Sequence, residues 1–142
     1  MSTAYNSIEE QFLNVTTRHA LYPAINPATA LRGAASGKVV FLSGASQGIG
    51  QATAIAFAQA NARAIYITAR SAKGLEETRG NVLGANPQTK CEYSLCDVTD
   101  EQQVKAAIAD CAKKFGQIDI ADANAGYRGK WRKIGDSNVS AT

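Results

Sequence analysis

Apolar residues in this chain fall into short unbroken runs that alternate with stripes of helical spacing. Val39-Val40-Phe41-Leu42 is a continuous run of β-branched, aromatic and aliphatic side chains, the pattern of a parallel strand covered on both faces, and a strand is expected over 38–43. A helix follows over 49–59, with Ala52, Ile55, Ala56 and Ala60 spaced to face a sheet. A second strand is expected over 64–68. A second helix is expected over 73–83, weakened by Gly74 and Gly80 and closed by Gly84 and Pro87. A third strand covers 90–95. Thr99, with Gln102 three residues on, fits a capping box that opens a third helix. Val104, Ala107, Ile108, Cys111 and Phe115 repeat at helical spacing until Gly116 stops it. A fourth strand is expected over 118–123.

The order βαβαβαβ predicts an α/β fold with parallel strands and right-handed crossovers. It reads as a doubly wound sheet that is incomplete at about four strands. Residues 1–36 form an extension, 37–126 the folded unit and 127–142 a tail without clear pattern. In the extension Ile8, Phe12 and Val15 can share one short helical face before Pro23 and Pro27 break regular structure. Asp122 conflicts with a strand covered on both faces, because a buried carboxylate is costly unless paired. Either it stands at the strand's end or the strand has lost its constraint.

Between the first strand and the first helix lies Ser43-Gly44-Ala45-Ser46-Gln47-Gly48-Ile49-Gly50. A strand, a glycine turn and a helix N-terminus in that order present backbone N–H groups and a positive dipole end to a diphosphate. Gly44 permits the tight turn, Gly48 lets a phosphate approach the backbone, and Gly50 lets the helix pack closely. Ser46 adds a hydroxyl, and Gln47 to Gly50 supply the amides.

Three further features belong at the same carboxyl ends of the strands. Ala69-Arg70 ends the second strand about 20 residues beyond the glycines, where an acid would accept from the 2′-hydroxyl of NAD. No acid is there, and the Arg70 guanidinium suits a 2′-phosphate, which favours NADP over NAD; the alternative is a solvated surface charge. Lys73 is a nearby cation or a plain helix-start residue. Asp97-Val98 follows the third strand; Asp97 can accept from an adenine amino group, with the next amide donating to a ring nitrogen, or can simply shape a turn. Asn124-Ala125-Gly126 follows the fourth strand, where small residues let the backbone lie beside a ribose, or form a plain turn.

Composition narrows the picture further. The chain has 142 residues, enough for one domain, and 45% hydrophobic residues. A formal charge of +3, scattered along the chain, does not point to nucleic acid. No apolar run reaches membrane-spanning length. Glu9 and Glu10 stand where a secretory leader would be basic then apolar, so none is expected. Cys91, Cys96 and Cys111 lack a Cys-x-x-Cys spacing and read as reduced thiols, an expectation that places the protein in the cytoplasm. His19, the single histidine, has no ligand cluster near it, so no metal site is expected.

These motifs resemble those of the short-chain dehydrogenase/reductase family, and the lead-in around Tyr22-Pro23-Ala24-Ile25 resembles its fungal members. The family's Thr-Gly-x-x-x-Gly-Ile-Gly is matched by Ser43 to Gly50, its Asp-Val by Asp97-Val98, and its Asn-Asn-Ala-Gly by Ala123 to Gly126 with alanine first. The likeness covers roughly residues 22–140. It implies an NADP-dependent oxidoreductase that moves hydride between a carbonyl and an alcohol. It also implies that Ser46 and Ile49 meet cofactor phosphates or ribose, Arg70 the 2′-phosphate, Asp97 the adenine and Asn124 a ribose.

The family's chemistry needs a serine and a Tyr-x-x-x-Lys pair, in which the lysine lowers the tyrosine pKa. None of the five tyrosines has lysine four residues on; Tyr127 precedes Lys130 by three. The chain therefore reads as the cofactor-binding half, with no catalytic residue of its own and a small carbonyl or alcohol substrate only in a complete homologue. The alternatives are a non-catalytic dinucleotide-binding module and a non-functional fragment. The fourth strand would be an open edge, to be covered by a second copy or another partner.

Overall fold

The structure, a computed structural model, describes residues 20–126. The predicted face of Ile8, Phe12 and Val15, together with His19, Tyr127, Lys130 and the tail 127–142, lies outside the described residues. A single 3₁₀ turn, Pro23–Ile25, precedes the main elements. These are β1 (Val39–Ser43), α1 (Gly48–Gln59), β2 (Ala64–Ala69), α2 (Ala72–Ala85), β3 (Lys90–Leu95), α3 (Glu101–Phe115) and β4 (Ile120–Asp122). The strands form one parallel sheet in the order β3-β2-β1-β4. The fold is the expected Rossmann-like α/β arrangement.

The pleat of β1 and β2 divides the core. Val40, Leu42, Ile65 and Ile67 point to one face, where they meet Ala54 and Ala58 of α1 and Leu75 and Val82 of α2. Val39, Phe41, Ala64 and Tyr66 point to the other, against Ala107 and Cys111 of α3. Each fully buried aliphatic side chain contributes about 1.5–3 kcal/mol. On the α3 side, the Tyr66 hydroxyl donates to Asp110 at 2.6 Å, and Lys114 links Asp110 at 3.1 Å to Glu92 of β3 at 3.3 Å.

Three local expectations need correction. The buried side of α1 is Gly50, Ala54 and Ala58. Of the expected face, Ala60 is buried in the core and Ile55 packs against it, whereas Ala52 and Ala56 do not; all four border an apolar groove of about 690 Å³, shared with Leu21, Ile25 and Leu31 of the lead-in and Ile120 of β4. A helix rich in alanine has too little contrast between its faces for spacing to choose one. The N-cap of α3 is Asp100, whose Oδ1 accepts from the amides of Gln102 and Gln103. Thr99 does not cap, because the first-turn amides go to Asp100; its own amide and hydroxyl both donate to Asp97. No reciprocal box forms: Gln103 donates its side-chain amide to Asp100 Oδ2 at 2.9 Å and accepts from the Asp97 amide, while the Asp100 amide donates to the Asp97 carbonyl.

The third correction concerns β4, which begins two residues later than expected. Asp119 is used otherwise: its Oδ2 accepts from the Val39 amide at 2.7 Å and so caps the start of β1. Of the two readings of Asp122 the first holds: it is the last residue of β4 and half-buried. It stands at the strand's end, so no carboxylate is trapped between covering helices. The lead-in is tied to the unit at Ala35, which is buried and donates its amide to Ala60, and at Ser36, which bridges to Ala62.

Candidate functional site

Strand order changes direction at β1: β2 and β3 lie to one side, β4 to the other. In open parallel sheets a crevice forms there, beyond the carboxyl ends of the strands. A cleft of about 1020 Å³ occupies this position. The residues expected to hold a dinucleotide all line it: Gly44, Ser46, Gln47, Gly48, Ile49, Gly50, Arg70, Asp97, Val98, Asn124, Ala125 and Gly126. Four loops at the ends of four strands thus converge on one concavity.

The glycine turn forms the floor. Gly44 has φ +70°, and a Cβ on it would stand 2.7 Å from the Ala125 Cα. Gly50 is closed in by the Gly44 carbonyl, the Asn124 amide and the Ala45 Cα. Its close approach is thus to the turn and the loop after β4, not to the sheet. Gly48 differs: with φ +58°, a Cβ on it would meet nothing within 4 Å. The space over Gly48 is open toward the cleft.

The loop after β4 is bolted to this turn. Asn124 Nδ2 donates to the carbonyls of Ser43 and Gly44, both at 3.1 Å. Ser43 Oγ accepts from the Ala125 amide at 3.1 Å and donates to the Asp122 carbonyl at 3.3 Å. Both N–H groups of the Asn124 side chain are therefore used within the fold. The hydroxyl of Ser43 does this work where the family has threonine, and one asparagine suffices where the family has two.

Helix α1 starts at this floor without a side-chain cap: Gln47 is the N-cap, and no side chain accepts from the first-turn amides. Those amides and the positive dipole end face the cleft, an arrangement that suits an anion. Ile49, 78% exposed, stands at the rim. No carboxylate follows β2; Arg70 lines the cleft there, with Ser71 and Lys73. Ser71 is the N-cap of α2, accepting from the Gly74 amide at 3.2 Å.

Asp97 does shape the turn after β3, and both of its bonds from Thr99 fall on Oδ1, so the turn leaves Oδ2 unused. Those bonds, chiefly from the Thr99 backbone, together with the nearby charge of Arg70, hold its carboxyl below the usual range. Sequence reasoning missed Gln51, Gly74 and Glu77, which also line the cleft. Gly74 carried a signal that was read in the wrong direction, as a weakness of the helix. Burial pushes the Cys96 thiol up beside Asp97, and Cys91 and Cys111 are likewise free and buried. Among the described residues no helix is long and apolar enough to cross a membrane.

The sequence profile of the short chain dehydrogenase family matches residues 38–141. A short chain dehydrogenase of Monascus purpureus, mpl6, is 38% identical over 126 residues, covering 86% of this chain and 42% of its own. The crystal structure of levodione reductase superposes with a TM-score of 0.66 at 34% identity, over 68% of this chain and 37% of that one. Carveol dehydrogenase from Mycobacterium avium, solved in complex with NAD, gives 0.67 at 29% identity, over 73% of this chain and 42% of that one. The chain spans about two fifths of the length of these relatives. With the glycine turn, the β1–β4 crevice and the profile in agreement, the chain belongs to the short-chain dehydrogenase family of oxidoreductases.

Proposed function

We propose that this chain is the NADP(H)-binding part of a short-chain dehydrogenase/reductase that interconverts a small carbonyl compound and its alcohol. The reading rests chiefly on the uncapped N-terminus of α1 facing the open space over Gly48. A diphosphate fits that place because a side chain at residue 48 would occupy it and because the first-turn amides lack other acceptors. The solved relatives named for NAD support a nicotinamide dinucleotide in general. Arg70 in place of an acid supports the phosphorylated form.

In this reading the amides of Gln47 to Gly50 and the Ser46 hydroxyl hold the diphosphate. Arg70 pairs with the 2′-phosphate, and Lys73 adds positive charge. Asp97 and the Val98 amide face the adenine, with Ile49 and Val98 as apolar walls. Asn124 acts indirectly, holding the turn in shape, while the backbone of Ala125 and Gly126 lies beside the nicotinamide ribose. The dinucleotide, when bound, supplies the hydride exchanged with substrate. The chain's own residues bind and orient it.

Calorimetry on the purified chain tests the reading. NADPH is expected to bind more tightly than NADH. Arg70→Ala is expected to weaken NADPH about tenfold or more while leaving NADH within about twofold, the scale of a lost charge-assisted pair. Equal losses for both dinucleotides would remove the 2′-phosphate assignment, and no binding of either would remove the reading.

A further inference from the structure

The glycine turn is held from two sides. Asn124 holds it from the loop after β4; the other hold comes from α2. Thr78 is fully buried on that helix. Its hydroxyl donates to the Ala45 carbonyl at 2.8 Å and accepts from Gln51 Nε2 at 3.1 Å. One helical turn earlier, Gly74 lies directly against Ser46: a Cβ there would stand 2.5 Å from the Ser46 carbonyl oxygen and 2.8 Å from its Cβ. Ala45 and Ser46 are thus fixed by a hydrogen bond and a close contact from one helix face.

The hydroxyl is suited to this position in a way no apolar residue is. Threonine offers one donor and two acceptor lone pairs. One hydroxyl therefore satisfies the Ala45 carbonyl and the Gln51 amide together. Valine has the same outline but leaves the buried Ala45 carbonyl without a bond and frees the half-exposed Gln51 amide, and the cost of the orphaned carbonyl exceeds that of the bond itself. The way to recover is for the turn to move off α2 and find water. Any such motion swings the Ser46 and Gln47 amides out of line with the N-terminus of α1.

We infer that Thr78 is a positioning residue for the diphosphate site, acting through Ala45 and Gln51 without touching the ligand. The inference rests on reading the cleft as a dinucleotide site. It also gives α2 a double task. Its first turn carries Lys73 into the cleft, and Thr78, one turn further on, sets the shape of the turn that faces it.

The test uses the full chain with Thr78→Val and Thr78→Ser, first without ligand. Amide hydrogen exchange at residues 45–48 is expected to quicken about tenfold in T78V, the scale of one lost buried hydrogen bond, and to stay near wild type in T78S. Exchange in β3 should not change. Calorimetry then follows NADPH, ADP-ribose and adenosine 2′-monophosphate. T78V is expected to weaken the two diphosphates about tenfold, T78S to restore them, and the monophosphate, which never reaches the turn, to stay unchanged. Unaltered exchange and affinity in T78V would overturn the inference, as would an equal loss for all three ligands. If no dinucleotide binds to wild type but T78V still loosens the turn, the functional reading falls and the brace stands. Should T78V not fold, Gln51→Ala, which removes one of the two bonds at a half-exposed position, must quicken exchange at 45–48; an unchanged rate there would also overturn it.

Discussion

Gly50 has no room for a methyl group. The Gly44 carbonyl, the Asn124 amide and the Ala45 Cα all crowd its missing Cβ, and two of these are backbone that cannot swing aside. Gly50→Ala is therefore expected to cost about 1–3 kcal/mol of stability, as overpacking does, and to weaken dinucleotide binding; chemical denaturation and calorimetry measure the two. Burial acts equally directly on ionisable side chains. Desolvation pushes the Cys91 thiol and the Tyr66 hydroxyl up to about 12 and the Cys111 thiol up to about 11. Unfolded, these groups ionise near about 8.5 for cysteine and about 10 for tyrosine. Above those values the unfolded chain sheds protons that the folded chain keeps, so the stability these groups favour is intact below about pH 8.5 and falls as pH rises toward their folded values. The melting temperature should drop steadily between about pH 8.5 and 11, and Cys111→Ala should flatten that slope. At neutral pH a thiol reagent should label none of the three buried cysteines until the protein unfolds.

At the scale of elements, caps and close approaches decide what spacing cannot. Helix α3 takes Asp100 as its N-cap, and the capping bonds from Gln103 and Gln102 hold that carboxyl below the usual range. Asp100→Ala is expected to lower the melting midpoint more than Thr99→Ala does, and the Asp100 contribution should fade as pH falls below the ordinary carboxylate range of about 4. The adjacent pair Thr99-Asp100 shows why the cap was only half legible. Both side chains can cap, and the choice depends on where the helix begins, one residue further on at Glu101, which puts Asp100 and not Thr99 within reach of the first amides. The apolar run of β1 was legible because a strand covered on both faces leaves no polar position in its pattern. The converging loops were legible because the glycine turn, Asp97 and Asn124 each follow a strand at a spacing that chain topology alone brings to one end of the sheet. The buried side of α1 was not, since alanine on every side carries no direction. Gly74 was misjudged for a related reason: its helix propensity is visible in the sequence, whereas the Ser46 carbonyl pressing on it is a contact between distant segments.

Across the whole molecule, the described sheet ends at β4 with an apolar groove beside it, lined by Leu21, Ile25 and Leu31 as well as α1. The chain on its own should enhance the fluorescence of a dye that binds apolar surface, and Leu31→Ser with Ile25→Ser should reduce that signal by about half or more. An absent signal in the unmodified chain would mean that the groove is covered. The same sheet joins segments of very different separation. β1–β2 and β2–β3 pair across a single helix, whereas β1 meets β4 and Gly44 meets Asn124 across 80 residues. Closing the longer loop demands more entropy, so local pairings form sooner. During translation the residues that shape the anion site leave the ribosome early, but the asparagine that locks them emerges only near the end of the described chain. A growing chain would therefore carry its glycine bend unlocked from the time residue 50 is made until residue 124 emerges, able to fold its first two crossovers before that bend is braced.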